Sequence, residues 1–220
     1  MTGKKRILVL GDSLCLPRVK PEKVSLYQTW PHLLINDHFE VLQLGIGGGT
    51  LRDLCEQSAY YHPSEPDIVI IQSGIVDCAP RALGRIEKDI INSNRILNSL
   101  FHRLLPVKFI RRVRRKTYTN VKEFQSSIDK ITNRFSDSHI IWIGIVPVSK
   151  EYEETVPGIA KNIEKYNCII KNNMINTKNS FCSVNSIPID GIMSDHHHLS
   201  SIGHTWIFQQ ISILLSKNSK

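Results

Sequence analysis

Short runs of β-branched and apolar residues alternate with stretches of helical spacing along this chain, and that alternation limits the folds open to it. The runs are Arg6–Leu10, Val41–Leu44, Ile68–Gln72, His139–Val146 and Phe181–Val184. Ile68-Val-Ile-Ile-Gln72 is continuous, with no polar residue at every second place, the pattern of a strand covered on both faces. Apolar residues at helical spacing mark Leu26–Asp37, Leu51–Ser58, Leu83–Leu105, Val121–Phe135, Ile159–Ile175 and Ser200–Leu215. Strands that alternate with helices predict an α/β fold: a parallel sheet of about five strands with helices on both faces. In such sheets ligands bind outside the carboxyl ends of the strands. Three segments fall there: Gly11-Asp-Ser13, the glycine segment Gly45–Thr50, and Ser73–Arg81.

A chain of 220 residues is long enough for one sizeable core and short for two. One domain over 1–220 is expected, with a basic insertion near 106–120. The segments 73–81 and 147–158 read as loops. No run approaches the 18 or so apolar residues of a membrane-spanning helix. The N-terminal run Ile7–Leu10 is too short for a signal peptide and reads as a buried first strand. Cys15, Cys55, Cys78, Cys168 and Cys182 contain no C-x-x-C pair and read as reduced, buried thiols. A cytoplasmic protein is expected.

Much of the net charge of +8 sits in Lys108-Phe-Ile-Arg-Arg-Val-Arg-Arg-Lys116. Such a stretch is either a solvated surface loop or a site for an anionic glycan or an anionic membrane surface. It is single and local, without a recognition motif, so nucleic acid is not an expected partner.

Gly11-Asp-Ser13 places a serine just beyond a buried strand, where the strand fixes it and the turn exposes it. A serine hydroxyl becomes nucleophilic when a base removes its proton. Asp195-His-His-His198 supplies a candidate: three residues apart, in a loop turning into the last helix, the carboxylate can fold back onto the His198 ring and hold its tautomer. Ser200 or Ser201 would cap that helix. His196, His197 and His204 read as surface or packing residues. Adjacent histidines point in different directions, and no further metal-type cluster accompanies them, so no metal or other cofactor is expected. An acyl-transfer site also needs donors for a developing oxyanion. The Gly48 and Ser13 backbone N–H groups are the candidates. The spacing in Gly45-Ile-Gly-Gly-Gly-Thr50 matches neither the dinucleotide fingerprint nor the phosphate-binding loop.

Together these blocks resemble the SGNH/GDSL hydrolase superfamily. Ile7-Leu-Val-Leu-Gly-Asp-Ser13 matches its first block and Leu44-Gly-Ile-Gly-Gly-Gly-Thr50 its second, with Gly48 at the oxyanion glycine. Asp195-His-His-His198 matches its D-x-x-H block, and Trp30-Pro-His-Leu-Leu34 looks like its first helix. The resemblance implies a flavodoxin-like, three-layer α/β/α sandwich. It also implies a Ser13 acyl-enzyme with His198 as base and Asp195 as orienter. The third block departs. Where the family has G-x-N-D, this chain has Gly74-Ile-Val-Asp77, so Val76 replaces the Asn that donates to the oxyanion. Arg81 and Gln72 are the nearest candidate replacements, and Asp77 is a candidate for holding the active-site loops. Hydrolysis of a small-molecule or glycan ester is the leading expectation. An O-acyltransferase acting on a cell-surface or capsular glycan, and a binding module without catalysis, are the alternatives.

Overall fold

The computed structural model describes residues 3–84, 87, 90, 91, 93 and 107–217. Five strands form one parallel sheet: β1 (Lys5–Gly11), β2 (Phe39–Gly45), β3 (Ile68–Gln72), β4 (His139–Ile143) and β5 (Ser180–Cys182). Their order is β2-β1-β3-β4-β5. The chain therefore moves one way from β1 to β2, then steps back across β1 and runs the other way. The order reverses at β1, between the ends of β2 and β3, and this is where a doubly wound sheet opens a crevice. All five residues of β3 are buried, as its continuous apolar run predicts.

Helices among the described residues include α1 (Trp30–Leu33), α2 (Leu51–Ser58), α3 (Ile75–Cys78), α4 (Val107–Arg114), α5 (Val121–Arg134), α6 (Lys150–Thr155), α7 (Ile159–Met174) and α8 (Ser201–Lys217). α5 packs against both α2 and α7, whereas α1 packs against α8. The two groups bury the sheet between Phe124, Ile128, Ile131, Ile163 and Ile170 of the first and Trp30, Ile207, Ile211 and Leu215 of the second. Among the described residues no helix is long and apolar enough to cross a membrane.

Helix starts follow local chemistry. Thr50 caps α2, its hydroxyl accepting from Asp53 N while the Asp53 carboxylate accepts from Thr50 N. Asn120 and Glu123 do the same for α5.

Five expectations need correction. The helix expected over Leu26–Asp37 is two pieces, a 3-10 turn at Leu26–Gln28 and the single turn α1, with Thr29 extended between them. Pro31 cannot sit inside a helix begun at Leu26, because its ring meets the carbonyl four residues back. The segment 73–81 contains α3, started by Gly74 at φ 128°. The segment 147–158 contains α6, capped by Ser149. The basic stretch is not a loop: Val107–Arg114 is helical, and Arg114 and Lys116 both reach Glu87, at 2.6 and 3.3 Å. Most of the helix expected over Leu83–Leu105 lies outside the described residues. All five cysteines are free, but Cys168 is exposed on α7.

Candidate active site

β1 delivers the chain to the carboxyl edge of the sheet at Gly11. A Cβ there would stand 2.3 Å from Cys15 Sγ, so glycine is required for the turn to fold Cys15 back over the strand end. Asp12 caps that turn, its Oδ1 accepting from Leu14 N at 2.9 Å. It is fully buried, and desolvation pushes its carboxyl up to about 7, against the Leu14 hydrogen bond and with help from the charge of Asp77.

Ser13, the first residue of the turn, is half-buried with its Oγ 3.1 Å from His198 Nε2. His198 Nδ1 lies 2.7 Å from Asp195 Oδ2. The turn that joins these two is closed by local bonds. Asp195 Oδ1 accepts from His197 N at 3.3 Å and His198 N at 3.0 Å, and His196 takes a left-handed conformation at φ 67°. Ser200 then caps α8, its Oγ accepting from Gly203 N at 3.2 Å.

Burial lowers the His198 pKa to about 4, more than the Asp195 hydrogen bond raises it, and the charge of His197 adds to the depression. The ring is thus neutral near pH 7 and free to accept a proton. Burial alone would raise Asp195, but the side-chain and backbone hydrogen bonds from His198 hold it below the ordinary carboxylate value.

A cavity of about 340 Å³ opens at Ser13. Gly47 and Gly48 form one wall, Ile75, Val76 and Ala79 another, and Arg18, Arg81, Tyr152, His197 and His198 complete it. Gly48 has φ 71°, a conformation that L side chains rarely adopt. Among the described residues, neither Ser13 N–H nor Gly48 N–H donates to a protein acceptor. Both are therefore available to a ligand oxygen.

Val76 faces the cavity with no donor. Of the two candidate replacements, Gln72 does not reach: it is buried beneath the site, where its Oε1 accepts from Trp30 Nε1 at 2.6 Å. Arg81 does line the cavity. Asp77 is buried and outside the lining. It accepts from Leu51 N at 3.0 Å and from Thr119 Oγ1, so it ties the start of α2, directly after the glycine segment, to the chain before α5.

Three lining residues escaped sequence reasoning. Arg18 follows the Ser13 turn, and its backbone pairs with Val24. Tyr152 comes from α6. His197, expected at the surface or in packing, lies with its ring 4.0 Å from that of His198 and 4.8 Å from that of Tyr152. No local pattern marks them. His204 is buried, its Nδ1 accepting from Trp30 N at 3.2 Å, so it is a packing residue that joins α8 to α1.

Asp195, His197 and His198 bring one possible ligand atom each within 4.8 Å of one another. Asp195 and His198 are, however, already bonded together, and the other nitrogen of His198 faces Ser13. That arrangement suits proton transfer rather than a shared cation. A larger cavity, about 860 Å³, lies along α7 and β5 with Cys168 and Lys171 in its wall, and contains no paired nucleophile and base.

No protein-family model matches the chain, and no curated protein does. Solved structures do. A lipase/acylhydrolase from Enterococcus faecalis aligns over 97% of this chain and 96% of its own, at 14% identity and a TM-score of 0.67. An acetyl xylan esterase aligns over 95% and 98%, at 14% identity and 0.62. A psychrotrophic esterase from Pseudoalteromonas sp. aligns over 97% and 98%, at 15% identity and 0.58. The likeness is one of fold over nearly the whole length. This chain has the fold of the GDSL/SGNH lipase-acylhydrolases and esterases, the superfamily that its sequence blocks resemble.

Proposed function

We propose that this protein hydrolyses a carboxylic ester through a covalent Ser13 intermediate. The observation that carries the reading is the unbroken relay from Ser13 Oγ to His198 Nε2 at 3.1 Å and from His198 Nδ1 to Asp195 Oδ2 at 2.7 Å. His198 takes the Ser13 proton as Oγ forms its bond to the ester carbonyl carbon. The carbonyl oxygen becomes an oxyanion, with the Ser13 and Gly48 N–H groups as its donors. Collapse breaks the bond to the alcohol, which leaves with the proton from His198. Water then attacks the acyl-enzyme, gives a proton to His198, and the acid departs as Ser13 Oγ recovers that proton. Asp195 orients His198 and stabilises the imidazolium in both halves. With Val76 in place of a donor, the rate should lie on the order of 100- to 1000-fold below that of a site with all three donors.

A cavity of about 340 Å³ favours a small acyl group. The acetyl xylan esterase among the neighbours supports an acylated carbohydrate as the substrate. The unbridged cysteines support a reducing compartment, and so the cytoplasm.

The test is turnover of 4-nitrophenyl acetate together with labelling by a fluorophosphonate, in wild type, Ser13→Ala and His198→Ala. Turnover lost in both variants, and the label lost in Ser13→Ala, is the expected result. A folded wild type that neither turns over nor labels would refute the reading and favour a binding module.

A further inference from the structure

The cavity at Ser13 holds more positive charge than ester hydrolysis needs. Arg18 and Arg81 both line it and no carboxylate does; Asp195 stands behind His198. Arg81 is firmly placed. Its backbone N donates to Lys116 O at 2.7 Å, its guanidinium lies 4.6 Å from the Tyr118 ring centre, and its Nη2 approaches Val76 O at 3.5 Å. Its Nε is buried with no partner among the described residues. From α4, Arg111 comes alongside, donating from Nη1 to Thr155 O at 2.9 Å, with its own Nε likewise buried and unpartnered. Burial first, and then the charge of Arg81, holds the Arg111 guanidinium below its ordinary pKa. The basic stretch is therefore anchored to the rim of this cavity.

Three arginines elsewhere pair with carboxylates, whereas Arg112, Arg115 and Arg134 do not among the described residues. Arg6 meets Asp67, Arg52 meets Glu56 and Arg114 meets Glu87. Among the described residues Arg18, Arg81 and Arg111 have no carboxylate partner. Guanidinium groups gathered around a small cavity repel one another, and an anion between them removes that repulsion. Their planar forks match carboxylate, sulfate and phosphate.

We propose that the ester accepted at Ser13 carries an anionic group, a carboxylate, sulfate or phosphate, which Arg81 and Arg18 bind while the ester carbonyl lies at Ser13 Oγ. This rests on the esterase reading, but its test does not depend on turnover. Ser13→Ala protein is titrated by calorimetry with two matched pairs of esters. Mono-4-nitrophenyl succinate against its methyl ester places the charge in the acyl part. 4-Acetoxybenzoate against 4-acetoxybenzamide places it in the alcohol part. In at least one pair the anion should bind about tenfold or more tighter than its neutral mate. The preference should shrink as salt is raised, and should collapse when Arg81→Gln or Arg18→Gln is added.

Equal binding within both pairs, or no heat from either anion, overturns the proposal. So does an Arg81→Gln variant that weakens both members of a pair equally, because that is the mark of an oxyanion donor. Wild-type hydrolysis of 4-nitrophenyl acetate, read in parallel, separates the two claims. Turnover without a charge preference refutes the anion site and leaves the esterase standing. Anion-selective binding by a wild type that neither turns over nor takes a fluorophosphonate supports the anion site and refutes the esterase.

Discussion

If Ser13 and His198 act as proposed, the sharpest consequence of burying His198 is unusual acid tolerance of the activity. An imidazole in water titrates near 6.5, whereas burial brings His198 to about 4. Only the neutral ring can take the Ser13 proton. At pH 5 about 90% of such rings are neutral, against about 3% for an ordinary imidazole. kcat/KM for 4-nitrophenyl acetate should therefore keep about nine-tenths of its neutral-pH value at pH 5, with an acid limb centred near pH 4. Release of nitrophenol would be followed at its isosbestic wavelength, with circular dichroism in the same buffers to check folding.

The fold should survive the titration for a reason visible in its buried groups. His198 and His204 are both depressed to about 4 by burial, so the stability they contribute is complete above their unfolded value of 6.5 and is lost as pH falls through 4. Asp12 and Asp77 are raised to about 7 and about 6, chiefly by burial. Their contribution is complete below 3.8 and is lost as pH rises through those values. Each displacement is worth on the order of 3–4 kcal/mol, and the two sets act in opposite directions across the same window. Stability should be nearly flat between pH 4 and 7. An acid limb centred near 6.5 in folded protein would refute the argument that burial governs His198.

Three further outcomes are expected. Val76→Asn restores a side-chain donor at the cavity wall and should raise kcat on neutral esters, towards the 100-fold or so that one oxyanion donor supplies; unchanged kcat in steady-state assays would mean that the oxyanion is already satisfied. Asp12→Asn keeps the oxygen that accepts from Leu14 and removes a carboxyl that must ionise in the core. Its stability in urea should therefore gain on wild type as pH rises from 5 to 8, and a difference independent of pH would count against the raised carboxyl. Gly203→Ala would put a Cβ 2.0 Å from Gly191 O, where α8 crosses the chain before the Asp195 turn. Thermal unfolding should show a loss of about 1–3 kcal/mol or more, and a wild-type midpoint would mean that the two segments can separate freely.

Much of the molecule was legible in the sequence because it depends on neighbours along the chain. The strands β1, β2, β3 and β4 announce themselves by runs of β-branched and other apolar residues, and Thr50 and Ser200 cap helices through atoms three residues away. The Asp195–His198 pair belongs to this class: a turn of four residues closes it, so spacing alone was enough to pair the two. Ser13 could be placed because it follows a buried strand directly.

What lies around that serine could not be read, because its distances are set by packing between distant segments. Ser13 meets His198 across 185 residues, and the match was inferred from the chemistry that each residue needs. Arg81 and Gln72 looked equivalent as replacements for the missing donor. Only the sheet decides between them, since Gln72 ends β3 beneath the site and bonds to Trp30, while Arg81 lies beyond α3 and turns into the cavity. The basic stretch had the composition of a solvated loop. A composition cannot say that Lys116 pairs with Arg81, which lines the cavity, or that Arg111 reaches Thr155. Local periodicity and turn chemistry were thus enough for the parallel α/β fold and the Asp195–His198 pair. The charge and shape of the cavity were decided by tertiary packing, because they depend on which remote side chains the sheet brings to its carboxyl edge.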